Sequence, residues 1–598
     1  MQTAAPLSTP TADRPTNAGA RGDSDDERSA ASPSSSHEDD DERFNVGWRR
    51  FGPRGRDITG YAPRFPDAPT VRWPTDLVTG APYLPDERRG KASKNKLEWD
   101  FNFVNKAAYT LKSSRDRPDL CVHATFTNER DAIKLIKECT ANGMPLVFDD
   151  FPDSLRWAHG GETFEDDPFM DPIRWSADPV DGVVGANLKT PRDFQDAAIR
   201  ESKPLHPYVT ANLLEFRTWL KMPGKVRCIL DLTCGFSQRD EITSRIADNV
   251  VESCSQSHGN KYEGHFAIVA DMLRTHDWFL LHTAGFLTFG HIDASGMATS
   301  AQIRGGGMKE WFVFRSSSMP KPKPGDTREQ RRIIQSQLVR RVGDLISAAS
   351  TDSLERPVRH DNDDWYVDGC IIELRPGMKY YQPAGTVHAA YTPVPTAAAG
   401  MHYFTYDDLH RMEVSRRVQR TKPGITNHNH NCGVQLMLIT MAAALPMRAA
   451  AGQTFRRKPM IALALMLTRP QDYIPPPEPL HPVDALKEMR AENAGRRDEF
   501  NLTHKLRSER WAEDGTAFDR LAYTVAMRIL IACKTKYPGD AKAEIPGPEY
   551  VLEGERWEDP GPKLDIESFT DDLAATHVDD IVQEESDEGS DSDLTDLD

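Results

Sequence analysis

Seven short runs of apolar and β-prone residues crowd the middle of this chain, each closed by Gly, Pro, Asp or a charged residue. They are Val226–Leu232, Trp278–His282, Phe286–Phe289, Trp311–Arg315, Trp365–Leu374, Tyr380–Gln382 and Met401–Thr405. Many short strands separated by turn signals predict a β-sandwich or barrel. Residues 316–364 interrupt the series. A Pro- and Lys-rich turn at 320–324 leads into Ile334, Leu338, Val342 and Ile346, spaced by four. That spacing predicts a helix, with Arg331, Arg332, Arg340 and Arg341 on its wet face. The stretch reads as an insertion between two strands.

The flanks differ in character. Residues 1–45 are rich in Ser, Pro, Asp and Glu, and cannot bury enough apolar surface to offset the entropy of ordering. Residues 46–100 are rich in Pro, Arg and Trp without a sustained period and read as an extended arm. Ala132–Cys139 predicts a short helix, and Pro145–Phe148 a short buried strand. Beyond 406 the pattern is helical. Val434–Leu445 and Ile461–Leu467 read as buried helices, Pro475–Pro479 as a break, and Phe518, Leu521, Val525, Ile529 and Cys533 as one apolar face. The expected organisation is a disordered tail at 1–45, an arm with an N-terminal helical extension at 46–139, and a β domain at 140–405. A helical region at 406–545, packing on the β domain or forming a dimer, and a disordered acidic tail at 546–598 complete it.

Charge narrows the partners. The chain of 598 residues carries −17, yet Leu564–Asp598 alone holds 14 Asp and Glu with no Lys or Arg. The rest is close to neutral, which argues against duplex nucleic acid as a partner, since phosphate binding needs a clustered positive field. An acidic tail either contacts basic proteins such as histones or merely solvates the chain. Basic stretches at Arg49–Arg56 and Arg88–Lys96 could serve as a nuclear address. The eight cysteines form no C-x-x-C pair, and His428-x-His430-x-Cys432 lacks a fourth ligand at a standard spacing for zinc, so it reads as a loop. No signal peptide is visible, and the longest apolar run, Val434–Met447, is too short to span a bilayer. An intracellular, nuclear protein is the expectation.

Three segments carry chemistry. In Phe286–Asp293, residues two apart on a strand face the same way, so His291 and Asp293 would offer one nitrogen and one oxygen ligand together. H-x-D/E recurs at His37 and His577, but only His291 lies within a β run. Next, Gly305–Gly307 permits a tight reversal into Lys309 and Trp311, whose side chains would share a face. A lysine aimed into a sandwich is costly unless it meets an anion. Last, Arg375–His388 reads as strand, turn and strand, ending in a third ligand, His388. Two histidines and one carboxylate form the facial triad of non-haem Fe(II) oxygenases, which leaves coordination positions open.

Together these segments resemble the JmjC domain. That family shows H-x-D/E, a G-x-x-K-x-W-like segment and P-G-x-x-x-x-x-P-x-G-x-x-H, matched here by His291/Asp293, Gly306–Trp311 and Pro376–His388. The resemblance, strongest to fungal members, covers about 225–405 with an extension from about 140. The large insertion departs from the pattern, and no JmjN segment or PHD module is visible. The resemblance implies a mixed α+β chain with a double-stranded β-helix (jelly-roll, cupin) core and flanking helices. It implies Fe(II) on His291, Asp293 and His388, with 2-oxoglutarate as cosubstrate. Lys309 would pair with the distal carboxylate of 2-oxoglutarate, Thr288 would add a hydroxyl hydrogen bond, and Trp311 would wall the pocket. The implied reaction oxidises 2-oxoglutarate to succinate and hydroxylates a protein substrate, with histone lysine demethylation as one form. Two other readings stand beside it: a catalytically silent jelly-roll scaffold acting through its helical region and acidic tail, and a cupin enzyme on a small molecule.

Overall fold

The computed structural model describes residues 110–152, 191–200, 207–219, 225–233, 241–248, 277–304, 307–350, 358–360, 363–426, 431–475 and 501–564, apart from isolated positions, with a few near 100 and two short strands at 47–49 and 73–75. The expected tail 1–45, most of the arm, Gly305, Gly306, the His428–His430 loop, Pro476–Pro479 and residues 565–598 lie outside the described residues. The chain divides into two units, Met1–Gly47 and Trp48–Asp598, and every element below belongs to the second.

That unit mixes helices with two large, mainly antiparallel sheets. Its N-terminal part supplies β1 (Lys112–Ser113), β2 (Val122–Ala124), α1 (Glu129–Ala141), β3 (Leu146–Phe148), β4 (Arg192–Asp196), β5 (Tyr208–Ala211), α2 (Leu213–Trp219), β6 (Arg227–Thr233) and α3 (Glu241–Ile246). The central strands are β7 (Asp277–His282), β8 (Phe286–His291), β9 (Ala298–Arg304) and β10 (Lys309–Ser316). After α4 (Arg328–Ala349) and the small hairpin β11 (Val358–His360) and β12 (Asp363–Trp365) come β13 (Val367–Leu374), β14 (Lys379–Gln382), β15 (Val387–Thr392) and β16 (Thr396–Tyr403). One sheet runs β8-β15-β10-β13-β1. The other runs β2-β3-β14-β9-β16-β7-β6-β4-β5. From 277 to 403 the chain passes from one sheet to the other at nearly every step.

The inward faces are legible from period two. Trp311, Val313, Ile372 and Ala390 of the five-stranded sheet share one apolar cluster with Trp278, Ala301, Ile303, Tyr380 and Ala398 of the nine-stranded sheet. The opposite face of the five-stranded sheet, with Phe312, Phe314, Ile371, Ala389 and Tyr391, is covered by helices. The expected helix in the insertion is α4, opened by a Thr327/Gln330 capping box. Leu338, Val342 and Ile346 are buried as the spacing predicts. Since β10 and β13 pair along their whole length, the insertion is a long loop on a hairpin and leaves the register intact.

Four expectations need correction. Arg341 is not on a wet face: it is 6% exposed, donates to Ser316 Oγ and the Ser318 carbonyl, and lies over Trp365. A guanidinium with acceptors and an aromatic face to meet can be buried, whatever the helical period of its charge. The boundary at 140 cuts a sheet, because β2 pairs with β3 and β1 with β13. The C-terminal tail does not begin at 546: Tyr550, Val551 and Leu552 are buried, Glu549 receives Arg328, and β18 (Lys563–Leu564) pairs with β17 (Phe455–Arg456). The apolar run at 434 belongs to a longer helix, α6 (Asn431–Ala450), whose Gly433–Ala450 stretch has the length and composition to cross a membrane. That stretch is 67% buried inside the protein, where it packs with α7 (Arg457–Thr468) and α8 (Ala517–Ala532).

Close packing across the inner sheet leaves no room at Gly400. A Cβ there would stand 2.2 Å from the Trp278 ring and 2.3 Å from the Ser300 carbonyl oxygen. Gly400→Ala should therefore cost about 1–3 kcal/mol, read as a lowered urea midpoint; an unchanged midpoint would contradict the strand packing.

Candidate metal centre

The expectation for His291 and Asp293 was a shared strand face. The structure brings them together differently. β8 pairs with β15 as Thr288 opposite Ala390, but then His291, not Gly290, stands opposite His388. The register shift adds one residue to β8, which turns His291 to the side that His388 faces. β8 ends at His291, and Asp293 lies in the following turn. In that turn Ser295 has φ 55° and Gly296 φ 71°, so the chain doubles back sharply.

The result is a buried group of three. His291 Nε2 and His388 Nε2 each lie 3.8 Å from Asp293 Oδ1, and the two imidazole centroids are 4.2 Å apart. A gap of 3.8 Å is too long for a hydrogen bond. Ligands each about 2.1 Å from one ion stand roughly 3.0–3.5 Å apart, so this is a slightly open form of a metal-binding set.

Hydrogen bonds fix what each atom offers. His291 Nδ1 lies 2.7 Å from the Phe289 carbonyl, and His388 Nδ1 lies 3.0 Å from the Thr386 carbonyl. A carbonyl only accepts, so each Nδ1 carries the hydrogen and each ring turns its Nε2 toward the centre. Burial, then the neighbouring His388, pushes His291 down to about 3, which keeps it neutral. Asp293 Oδ2 is occupied: it accepts from Thr299 Oγ1 and from Gln382 Nε2 at 2.8 Å. Burial alone would raise the Asp293 carboxyl, but His388, His402, His291 and the Thr299 hydroxyl outweigh it and hold it below the usual range. Three potential ligand atoms therefore converge with no hydrogen-bond donor between them among the described residues, which is costly unless a cation is shared.

A second layer, not anticipated from the sequence, orients the carboxylate. Tyr380 Oη donates to Gln382 Oε1 at 3.1 Å, which sets the amide so that its nitrogen meets Asp293. Thr299 gives its proton to Asp293, so His402 Nδ1, 2.8 Å away, must donate to the Thr299 oxygen. The signal available in the sequence was weak: Gln382 and His402 are polar residues at the inward parity of short strands. Below the metal group, helix α5 (Leu409–Thr421) fastens both turns. Ser295 N donates to Gln419 Oε1, Ala384 N donates to Asp408 Oδ2 and Arg411 Nε donates to the Ala384 carbonyl. Gly385 N donates to the Gly296 carbonyl, tying one turn to the other.

The other expected residues take distinct places. Lys309 and Trp311 share the inward face of β10. Lys309 is 1% exposed, its Nζ lies 5.3 Å from the Trp311 ring centroid, and it has no ion pair among the described residues. Burial pushes its ammonium down to about 7. Trp311 packs on Tyr380. Thr288 is half-buried opposite Ala390. His388 is opposite Val313, four residues from Lys309 on β10, or about 13 Å along the strand at the usual rise.

No protein-family model matches this chain, and no curated protein sequence matches it.

Removing the carboxylate should abolish the site without unfolding its frame. Asp293→Ala is expected to lose bound divalent metal while melting close to the parent. Thr299→Val, which removes only the orienting hydroxyl, should weaken metal binding about 10- to 100-fold. Metal content after dialysis, read beside a melting curve, decides both; full metal occupancy in Asp293→Ala would exclude the assignment.

Proposed function

We propose that this chain is an Fe(II)- and 2-oxoglutarate-dependent oxygenase of the JmjC type acting on a protein substrate. The observation that carries the reading is the buried set His291, Asp293 and His388, with two Nε2 lone pairs and one carboxylate oxygen left bare toward one point. Two nitrogens and one oxygen on one side of an ion suit Fe(II) and leave its far side open. The strand orders β7-β16-β9-β14 and β8-β15-β10-β13 within the two sheets, with the chain alternating between them, support a double-stranded β-helix as the core.

Lys309 adds what a generic metal site does not need. It stands on the inward face of β10, displaced along the strand from the metal group, with no carboxylate partner among the described residues. A dicarboxylate with one end at the metal and the other at the lysine would fill that gap and supply the missing counter-charge. Iron held there would activate O₂ to hydroxylate a substrate C–H bond while 2-oxoglutarate is oxidised to succinate and CO₂. The chain's own part is to hold the metal on three ligands, to orient Asp293 through Thr299 and Gln382, and to keep water from the interior with Trp311, Tyr380 and Trp278. A protein side chain is the proposed substrate, with an N-methyl-lysine one form of it.

Lys309→Met keeps the apolar stem and deletes the charge. It should retain metal and lose about 3–5 kcal/mol of 2-oxoglutarate binding, two to four decades in affinity. Thr288→Val should lose less, about 0.5–1.5 kcal/mol. A titration of 2-oxoglutarate into metal-loaded variants measures both, and parent-like affinity in Lys309→Met would sink the cosubstrate assignment.

The same lysine predicts a pH dependence. With its ammonium pushed down to about 7 in the unliganded protein, Lys309 is neutral at higher pH, and binding a carboxylate must take up a proton. Affinity for 2-oxoglutarate should therefore fall about tenfold per pH unit above 7 and level off below it. Titrations from pH 6 to 9 test this, and an affinity independent of pH would contradict it.

A further inference from the structure

Beyond the metal group, the polar atoms that most need explaining lie at the opposite end of the same interior. His282, on β7, is 0% exposed, and neither ring nitrogen has a hydrogen-bond partner among the described residues. Thr392, on β15, is 1% exposed, and its hydroxyl likewise has no partner among the described residues. Buried polar groups in folded proteins are overwhelmingly hydrogen-bonded, and each exception calls for a cause.

The register brings both beside Lys309. Glu310 stands opposite Tyr391, which carries Lys309 alongside Thr392. Thr392 follows His388 and Ala390 at period two, so it shares their inward face. On the facing sheet, His282 follows Trp278 and Leu280 on the inward face of β7, and it stands opposite Thr396. The Thr396 hydroxyl is bonded to the backbone of Met308, the residue before Lys309. His282 and Lys309 are also close enough for the lysine charge to push the imidazole down, after burial, so His282 is neutral and offers one N–H. An ammonium, a hydroxyl and an imidazole N–H thus meet at one level between the sheets. Thr288, opposite Ala390, lies one step nearer the metal.

We propose that His282 and Thr392 join Lys309 in a closed anion site that grips the far carboxylate of a dicarboxylic 2-oxo acid, with Thr392 rather than Thr288 as the principal hydroxyl donor. The inference rests on the 2-oxoglutarate reading above. A carboxylate has about four acceptor positions on two oxygens, enough for one bond each from the ammonium, the hydroxyl and the ring. The site selects for a second carboxylate: a 2-oxo acid with an apolar end leaves all three donors unsatisfied.

The test uses the full chain loaded with Mn(II), with direct binding titrations of 2-oxoglutarate and of 2-oxopentanoate, which has the same length but no distal carboxylate. Thr392→Val and His282→Leu should each weaken 2-oxoglutarate about 10- to 100-fold, more than Thr288→Val. Their weak binding of 2-oxopentanoate and their metal content should stay as in the parent. Thr392→Ser and His282→Gln, which restore a donor, should recover most of the loss and guard against misfolding of the apolar variants. Parent-like 2-oxoglutarate binding in Thr392→Val and His282→Leu would overturn the inference while leaving the cosubstrate reading intact. If the parent itself does not bind 2-oxoglutarate, the metal-free chain is melted with glutarate. Stabilisation by glutarate that depends on His282 and Thr392 keeps the anion site without the cosubstrate, and its absence overturns both.

Discussion

The pairing of β8 with β15 is the constraint on which the rest of the site depends. Its one-residue register shift sets His291 opposite His388 and ends β8 where the chain can turn Asp293 back between them. Ladders of backbone hydrogen bonds fix both histidine backbones, and the Phe289 and Thr386 carbonyls fix both rings. Gly290 makes this possible on the other side. Helix α4 comes so close that a Cβ at 290 would lie 2.7 Å from the Ala349 carbonyl oxygen. Helix α5 then locks the two turns through Gln419, Asp408 and Arg411.

The interior breaks the usual rules of a folded core in two places, and in opposite senses. At one end, lone pairs converge without a donor. At the other, donors gather with no acceptor among the described residues, and burial weakens the Lys309 ammonium itself. Each arrangement costs stability when empty, because polar groups removed from water lose hydration without compensation. A cation at one end and an anion at the other would relieve both, and the proposed 2-oxo acid would link the two ends through one molecule. Departures of this kind from local consistency cluster at functional sites.

Much of this arrangement is legible in the sequence. Short runs bounded by turn residues located most central strands, and the spacing of Leu338, Val342 and Ile346 located α4. The central strands without such a run, β9 and the first half of β16, are rich in Ala, which carries little β signal; their pairing in the sheet makes them strands. The three residues that could hold a metal are legible through their spacing, although the geometry behind it is not, since no local pattern announces a register shift. Thr299, Gln382 and His402 depend on which strands become neighbours across the sheet, as do the orphaned groups of His282 and Thr392. The buried Arg341 and the ordered stretch up to Leu564 were missed for a related reason: charge and composition describe a segment by itself, whereas Trp365 and Arg328 supply partners from far along the chain.

Turnover of the cosubstrate alone tests whether this metal group and Lys309 form an oxygenase site. The chain, loaded anaerobically with Fe(II) and then exposed to O₂ and 2-oxoglutarate, is assayed for succinate, with and without methylated histone peptides. Slow succinate formation without peptide is expected, requiring iron and disappearing in Asp293→Ala, with acceleration when a true substrate is supplied. Succinate formation equal in the parent and in Asp293→Ala, or none in a parent that demonstrably holds iron and 2-oxoglutarate, would contradict it.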